Sequence, residues 1–252
     1  MVKIVVFDSG LGSLSIIKPI QKKVISDIIY FADQKNFPYG EKSVPELAKI
    51  IKSTIKTLDN NFDPDLIVIG SNTPSLLLKK VINSPRIIGV FPPLKEAKRK
   101  TKTKTIAILA TKSVIESKAL QNYIKKNIPN KIRVIKINVS SLVDLVESGK
   151  FVDDKKLCKN KIKKILSKPF LQNHVDVATL SSTHLPFLLP FFKEIFPSVI
   201  FLDPGEIVAK KIAKKIGRQD KTKSLTIFAS GNVKVFQKKL SKIGIKNKIR
   251  SL

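Results

Sequence analysis

Short apolar runs alternate with amphipathic segments along the whole chain. We predict strands at residues 3–7, 27–32, 65–70, 86–90, 105–110, 132–137, 176–180, 199–202 and 225–229. Between them, apolar residues return at three- and four-residue steps, as in 44–58 and 112–128, which is the spacing of amphipathic helices. Several strands are apolar on both faces, which is typical of a parallel sheet covered by helices on both sides. The pattern predicts an α/β fold.

A weak internal repeat indicates two similar halves. "KIVVFDSGLGSLS" (3–15) is similar to "TIAILATKSVIES" (105–117), and "DLIVIGSNTPS" (65–75) is similar to "DVATLSSTHLP" (176–186). Each is a strand, then small polar residues, then an apolar or helical stretch. We therefore expect two pseudo-symmetric lobes, each a mainly parallel sheet flanked by helices, with the active-site cleft between them.

The best boundary between the lobes is the segment "KEAKRKTKTKT" (95–105), which is charged and lacks apolar periodicity. We expect the chain to cross back after Asp203. The predicted domains are residues 1–95 with 206–252, and residues 96–205.

The composition is that of a folded soluble protein. Of the 252 residues, 42% are hydrophobic and 27% are charged, which excludes a disordered chain. No run reaches the roughly 18 apolar residues of a membrane span, and the first residues lack the features of a signal peptide, so we expect a cytoplasmic protein. A lone cysteine, Cys158, leaves no disulfide framework and no thiol metal site.

The formal net charge of +29 raises the question of a nucleic-acid partner. Only five of the 48 basic residues are arginine, the residue that reads phosphate and bases best. The lysines are spread over nearly every predicted helix, and no aromatic residues interleave with them as a stacking platform requires. A general lysine bias is favoured over a nucleic-acid surface, although charge alone does not exclude one.

Polar residues follow several predicted strands, where ligands of α/β sheets bind. These clusters are Asp8-Ser9, residues 71–73, residues 111–113 and residues 182–184, with the loop "FPYGEKS" (37–43) beside them. Taken singly, each has a structural explanation as a helix cap, a turn or a core histidine. Their joint occurrence in both halves favours a ligand site. The "SGLGS" turn lacks the full nucleotide glycine pattern, which argues against nucleotide binding.

These motifs resemble the cofactor-independent amino-acid racemases, the glutamate racemases in particular, over nearly the whole chain. "VFDSGLGSLS" is similar to the family's Asp-Ser-Gly opening and "FPYGEKS" to its Pro-Tyr-Gly loop. "SNTPS" stands in the place of a Cys-Asn-Thr motif, and "SSTHLPFL" in the place of a Cys-Thr-His-Tyr-Pro motif. "SSLVDLVESG", "FLDPGEIVA" and "FASGNVKVF" resemble further family segments.

The resemblance implies an isomerase that moves the α-proton of glutamate or aspartate between two bases on opposite faces. It implies no metal, pyridoxal or nucleotide cofactor, and a homodimer is typical of the family. Asp8 and His184 would assist the bases at positions 71 and 182, and Glu147 matches the acidic residue near the second base. Further residues would hold the substrate: Ser9, Pro38, Tyr39, Gly40, Asn72, Thr73 and Thr183.

The chain departs from the family at both bases, because Ser71 and Ser182 stand where the family has its catalytic cysteines. A serine hydroxyl is far less acidic than a thiol and stays protonated at neutral pH, so loss of several orders of magnitude in rate is expected. Pro92, Val114 and Leu185 also depart from the family pattern and indicate a divergent subfamily.

Three explanations for the serines stay open: a deliberately inactivated form, a binding-only relative, or an enzyme with slow or different chemistry. Three function classes follow from the sequence. They are an acidic amino-acid isomerase, a non-catalytic protein that binds an acidic ligand, and a lysine-driven nucleic-acid-associated protein.

Overall fold

The computed structural model describes residues 2–217 and 223–252. The strands are β1 (Lys3–Asp8), β2 (Asp27–Ala32), β3 (Leu66–Ile69), β4 (Ile87–Gly89), β5 (Thr105–Ala110), β6 (Arg133–Asn138), β7 (Val177–Leu180), β8 (Ile200–Leu202), β9 (Ser224–Ala229) and β10 (Ile249–Ser251). The helices are α1 (Leu14–Lys23), α2 (Val44–Phe62), α3 (Asn72–Leu77), α4 (Leu94–Lys100), α5 (Lys112–Ile115), α6 (Lys118–Asn127), α7 (Ser140–Glu147), α8 (Lys150–Asp153), α9 (Lys155–Gln172), α10 (Leu189–Ile195), α11 (Gly205–Ile216) and α12 (Val233–Lys242).

The chain forms two compact units, Met1–Val90 with Gly205–Leu252, and Phe91–Pro204. The first unit holds a parallel sheet of order β10-β9-β2-β1-β3-β4, and the second holds a parallel sheet of order β6-β5-β7-β8. Helices flank both sheets, so the predicted α/β class is confirmed.

The central strands form because their apolar residues can be buried on both faces. Every residue of β3, β5 and β7 is buried. In the first unit, α2 and Tyr39 pack on the sheet in one cluster with Phe7 and Ile69. A covered parallel sheet exposes its loops at the carboxyl ends of the strands, which is where the candidate residues lie.

The nine predicted strands lie close to β1–β9, but one helix and one strand differ from the sequence interpretation. The predicted helix 112–128 is divided into α5 and α6, because the Ser117 hydroxyl accepts a hydrogen bond from the backbone N–H of Leu120 and starts a new helix. Strand β10 was missed, since three residues in a lysine-rich end carry too little periodicity to predict a strand.

The segment 95–105, predicted as the boundary, begins inside helix α4 rather than in a linker. Leu94 and Ala97 are fully buried and hold this helix in the second unit. The Asp176 carboxylate then accepts hydrogen bonds from the Thr101 hydroxyl at 2.7 Å and from the Thr103 N–H at 3.0 Å. Burial alone would raise the pKa of Asp176, but these hydrogen bonds outweigh it and leave the pKa lowered. The domain ranges derived from the sequence stay a prediction.

Within residues 2–217 and 223–252, no helix is both long enough and apolar enough to cross a membrane.

The Cys158 thiol is expected to be unreactive in the folded protein. It is fully buried on α9, and burial, followed by the nearby Asp154 charge, raises its pKa from 9.0 to about 11. A rise of two pKa units lowers the thiolate fraction about 100-fold, and the thiolate is the reactive form. Modification by an aromatic disulfide reagent at pH 8 should therefore be at least about 100-fold slower in the native protein than in urea. Equal rates in the two conditions would show that the thiol is open to solvent.

Candidate active site

The first group of candidate residues lies at the carboxyl edge of the six-stranded sheet. Asp8 ends β1, and Gly70 and Ser71 follow the neighbouring strand β3. The Gly70 N–H donates a hydrogen bond to the Phe7 carbonyl at 2.7 Å, which continues the pairing of the two strands to their ends. The sheet therefore places Asp8 and Ser71 on adjacent chains at one edge.

Asp8 and Ser9 form a buried turn that contacts the Pro-Tyr-Gly loop. The Ser9 N–H donates to Asp8 Oδ1 at 2.7 Å. The Ser9 hydroxyl accepts a hydrogen bond from the Tyr39 N–H at 3.4 Å. Pro38 and Gly40 flank Tyr39 in this loop, in which the Phe37–Pro38 peptide bond is cis. Sequence-predicted residues thirty positions apart along the chain are thus brought into contact at one edge of the sheet.

Ser71 precedes helix α3, and the buried Ser75 hydroxyl holds it in place. Ser75 Oγ donates to the Ser71 carbonyl at 2.6 Å and accepts from the Val90 N–H at 2.9 Å. Because this hydroxyl bridges α3 and the residue after β4, it fixes the backbone that carries the Ser71 side chain. Sequence reasoning missed Ser75, although it lies within the quoted "SNTPS" motif.

Asn72 differs from the other residues of this group in having buried side-chain atoms without a hydrogen-bond partner among the described residues. Its side chain is 3% exposed, and neither its amide nitrogen nor its amide oxygen has a hydrogen-bond partner within residues 2–217 and 223–252. A buried polar group without a partner costs about 1–3 kcal/mol. Such a group needs a reason to be retained, and a ligand that pairs with it is one. Thr73 follows it at the start of α3 and is also buried.

The second group of candidate residues lies at the carboxyl edge of the four-stranded sheet, after β7. Ser182, Thr183 and His184 are all buried. The preceding residue, Ser181, anchors them: its N–H donates to the Leu109 carbonyl at 2.8 Å, and its hydroxyl lies 2.9 Å from Thr179 Oγ1. Ser181 was not singled out from the sequence, because a serine next to a candidate base has no pattern of its own.

His184 and Glu147 form a buried pair. His184 Nε2 lies 2.7 Å from Glu147 Oε1, and the two side chains are 8% and 5% exposed. Glu147 ends helix α7, whereas His184 follows β7, so the pair ties that helix to the carboxyl edge of the sheet. The contact fixes the orientation of the imidazole ring, which is what a residue that assists proton transfer needs.

The candidate residues are divided between the two units. Met1–Val90 carries Asp8, Ser9, Pro38, Tyr39, Gly40, Ser71, Asn72 and Thr73, whereas Phe91–Pro204 carries Glu147, Ser182, Thr183 and His184. Within each unit most of them follow the carboxyl end of a strand, whereas Glu147 lies at the end of helix α7.

Gly70 is required beside Ser71 by close packing, and replacing it with alanine is expected to be costly. A Cβ at this position would lie 2.3 Å from Ser13 Cβ and 3.2 Å from the Phe7 carbonyl oxygen. Overpacking of this kind costs about 1–3 kcal/mol, so Gly70→Ala should lower the free energy of unfolding by that amount or more, measured in urea. Gly244→Ala is the comparison, because its Cβ would meet nothing within 4 Å although its φ is +82°. If Gly70→Ala is no less stable than the wild-type protein, Ser13 and Phe7 do not pack against position 70 as closely as described.

The chain is similar in sequence and in fold to proteins of known activity. No protein-family model matched the chain. Glutamate racemase of Haemophilus ducreyi is 32% identical over 224 residues, covering 84% of this chain and 81% of that protein. The crystal structure of the glutamate racemase isoform RacE1 of Bacillus anthracis has a TM-score of 0.88 at 21% identity, covering 100% of this chain and 97% of the other.

A second solved structure, Escherichia coli glutamate racemase in complex with L-glutamate and the activator UDP-MurNAc-Ala, has a TM-score of 0.83 at 23% identity and covers 100% of this chain and 98% of the other. At these identities the two structures show a shared fold. The relatives are amino-acid racemases, a class of isomerases. The chain belongs to the glutamate racemase family.

Proposed function

We propose that this chain binds glutamate or aspartate and transfers the α-proton of the amino acid without a cofactor, at a rate greatly lowered by serine at positions 71 and 182. The observation that carries the proposal is the Asn72 side chain, which is buried with both amide atoms unpaired among the described residues. A bound amino acid supplies a carboxylate that accepts from the amide nitrogen and an ammonium that donates to the amide oxygen. Either contact would recover part of the cost of burying the amide.

The proposal assigns the two groups of candidate residues to the two faces of one bound amino acid. Asp8 and Ser71 would serve one face, and His184 and Ser182 the other. Support comes from the position of every one of these residues at or just after the carboxyl end of a strand. The relatives are glutamate racemases by name, and one was solved with L-glutamate, which supports an acidic amino acid as the ligand.

The serines account for the proposed low rate. A thiol has a pKa near 8.5, so part of it is a thiolate at neutral pH, whereas a hydroxyl needs a neighbouring base to act. A carboxylate and an imidazole are weak bases toward an alcohol, so the proton passes to them only in part. Each missing proton-transfer group typically lowers a rate by about 100- to 10,000-fold.

A non-catalytic binding protein is the alternative, and the contacts that hold the candidate residues in place favour it over loss of all function. The buried pair of His184 with Glu147 and the anchored Ser71 backbone are retained although the thiols are absent. Such a pocket holds a ligand whether or not a proton moves.

Calorimetric titration with both enantiomers of glutamate and aspartate tests the proposal, with glutamine as the comparison ligand. We expect one acidic amino acid to bind, and Asn72→Ala to weaken its affinity by at least about tenfold, because tenfold corresponds to about 1.4 kcal/mol. Asn61→Ala is the matched control, because Asn61 is an exposed residue of α2 whose amide donates to the Thr57 carbonyl of the same helix. If no acidic amino acid binds to the wild-type chain, the proposed function is wrong.

Loss of the α-proton signal in D2O, followed by proton NMR, separates the two alternatives. Slow exchange of the α-proton of the bound amino acid supports the isomerase, and binding without any exchange supports the binding protein.

We also propose that the chain is cytoplasmic and forms a homodimer, which is the oligomeric state typical of the family. Light scattering during gel filtration tests its mass.

A further inference from the structure

The Asp33 carboxylate is a buried acceptor that joins several segments of the first unit. It follows β2, is 3% exposed, and accepts from Tyr39 OH at 2.9 Å and from Asn36 Nδ2 at 2.8 Å. It also accepts from Ser230 Oγ at 3.0 Å and from Thr54 Oγ1 at 3.4 Å. These donors come from the Pro-Tyr-Gly loop and its approach, from the end of β9, and from α2.

No lysine or arginine forms an ion pair with Asp33 among the described residues, in a chain with 48 basic residues. Burying a carboxylate is costly, and here neutral donors alone offset that cost. A well-packed apolar side chain often serves stability equally well in such a place. What an apolar side chain cannot do is fix the direction of a hydroxyl group.

The hydroxyl that Asp33 fixes belongs to Tyr39, the central residue of the loop. Burial, and then the charge of Asp33, holds the pKa of Tyr39 well above 10, so the phenol stays a donor at neutral pH. With its ring buried in the core cluster that also contains Phe7, Tyr39 donates its backbone N–H to Ser9 Oγ at 3.4 Å. The position of this N–H, and that of the Gly40 N–H after it, therefore depends on the Tyr39 side chain.

The backbone around Asp33 also connects to the Asp8-Ser9 turn. The Asp33 N–H donates to the Asp8 carbonyl at 2.8 Å. The next residue, Gln34, donates from Nε2 to the Ser9 carbonyl at 2.5 Å. Residues 33–34 thus contact both the Asp8-Ser9 turn and the Pro-Tyr-Gly loop.

We propose that Asp33 is a positioning residue: through Tyr39 OH it sets the backbone of the Pro38-Tyr39-Gly40 loop, and through that loop the affinity for the ligand. The effect of Asp33 on ligand affinity rests on the proposed function, whereas its effect on the backbone of the loop does not. Asp33 does not touch the ligand in this assignment.

The test uses the full chain and two measurements. Heteronuclear NMR follows the backbone amide signals of Tyr39 and Gly40, and calorimetry follows the affinity for the acidic amino acid that binds. Tyr39→Phe removes the donor of this hydrogen bond, and Asp33→Asn removes the charge and one of the two acceptor oxygens of the carboxylate. Thr54→Val is the matched control, since it removes a donor to the same carboxylate from outside the loop.

We expect Asp33→Asn and Tyr39→Phe to shift both amide signals and to weaken binding by at least about fivefold each. The double variant should be little weaker than either single variant, because residues that act through one contact are not additive. Thr54→Val should leave the amide signals and the affinity near those of the wild-type chain.

If the amide signals of Tyr39 and Gly40 are unchanged in Asp33→Asn, the proposal is overturned whether or not a ligand binds. It is also overturned if the effects of Asp33→Asn and Tyr39→Phe on affinity add in the double variant. Shifted amides with wild-type affinity would overturn the part that concerns the ligand. If the wild-type chain binds no acidic amino acid, the proposed function fails, and the amide signals still decide the role of Asp33 in the loop. Should Asp33→Asn not fold, Tyr39→Phe tests the same bond.

Discussion

Replacing Ser71 and Ser182 together with cysteine is expected to raise the rate of α-proton exchange of glutamate or aspartate by at least about 100-fold. The physical reason is the pKa of the base. A thiol has a pKa near 8.5, so part of it is thiolate at pH 8, whereas a serine hydroxyl stays protonated. The measurement is the loss of the α-proton signal in D2O, together with the appearance of the opposite enantiomer on a chiral column.

The two single variants are the controls for this experiment. With one thiol, each is expected to exchange the α-proton of one enantiomer faster than the wild-type chain, while net racemisation stays slow. The introduced thiols can be titrated separately, because Cys158 is buried and its pKa is raised to about 11. If the double variant carries two reactive thiols, binds the amino acid and shows no gain in exchange, the assignment of positions 71 and 182 as bases is wrong.

Replacing His184 with alanine is expected to lower the free energy of unfolding of the second unit by at least about 1–3 kcal/mol. Glu147 Oε1 lies 2.7 Å from His184 Nε2 with both side chains buried, and the substitution removes this hydrogen-bond partner from a buried carboxyl group. Urea unfolding gives the overall change. Because two units need not unfold together, amide hydrogen exchange in α7 and β7 locates it.

His184→Gln is the conservative control, because its amide can still donate a hydrogen bond toward Glu147 and should recover part of the stability. Phe191→Leu, a substitution of a half-buried apolar residue in the same unit, gives the scale of an ordinary packing change. If the amide hydrogens of α7 exchange at the same rate in His184→Ala as in the wild-type chain, the pair does not have this structural role.

Much of the fold could be predicted from the sequence because the strands carry a strong local signal. Residues 105–110 are apolar at nearly every position, and the structure buries all of them. The same reasoning failed at 112–128, since the apolar spacing continues past Ser117 while the cap at that residue breaks the helix. A hydroxyl that caps one helix and a hydroxyl exposed on another look the same in a sequence.

The candidate site was predicted as a set of segments, and its internal contacts were not. The residues that sequence reasoning missed, Asp33, Ser75 and Ser181, are those that hold other residues in place. Asp33 was passed over because one acidic residue after a strand is most often a turn or cap residue. One of its hydrogen-bond donors, Ser230, is 197 positions away along the chain.

The sequence by itself determined that parallel sheets covered by helices would form, because apolar residues on both faces of a strand can be buried in no simpler way. It also determined which polar segments would stand at the carboxyl ends of the strands, since a strand ends where its apolar run ends. Only the tertiary structure decided that Tyr39 bonds to Asp33, that His184 bonds to Glu147 and that the Asn72 amide has no hydrogen-bond partner in the part of the chain that the structure describes. Hydrogen bonds depend on distances of about 3 Å between residues far apart in the chain, and no local pattern of hydrophobic and polar positions encodes such a distance.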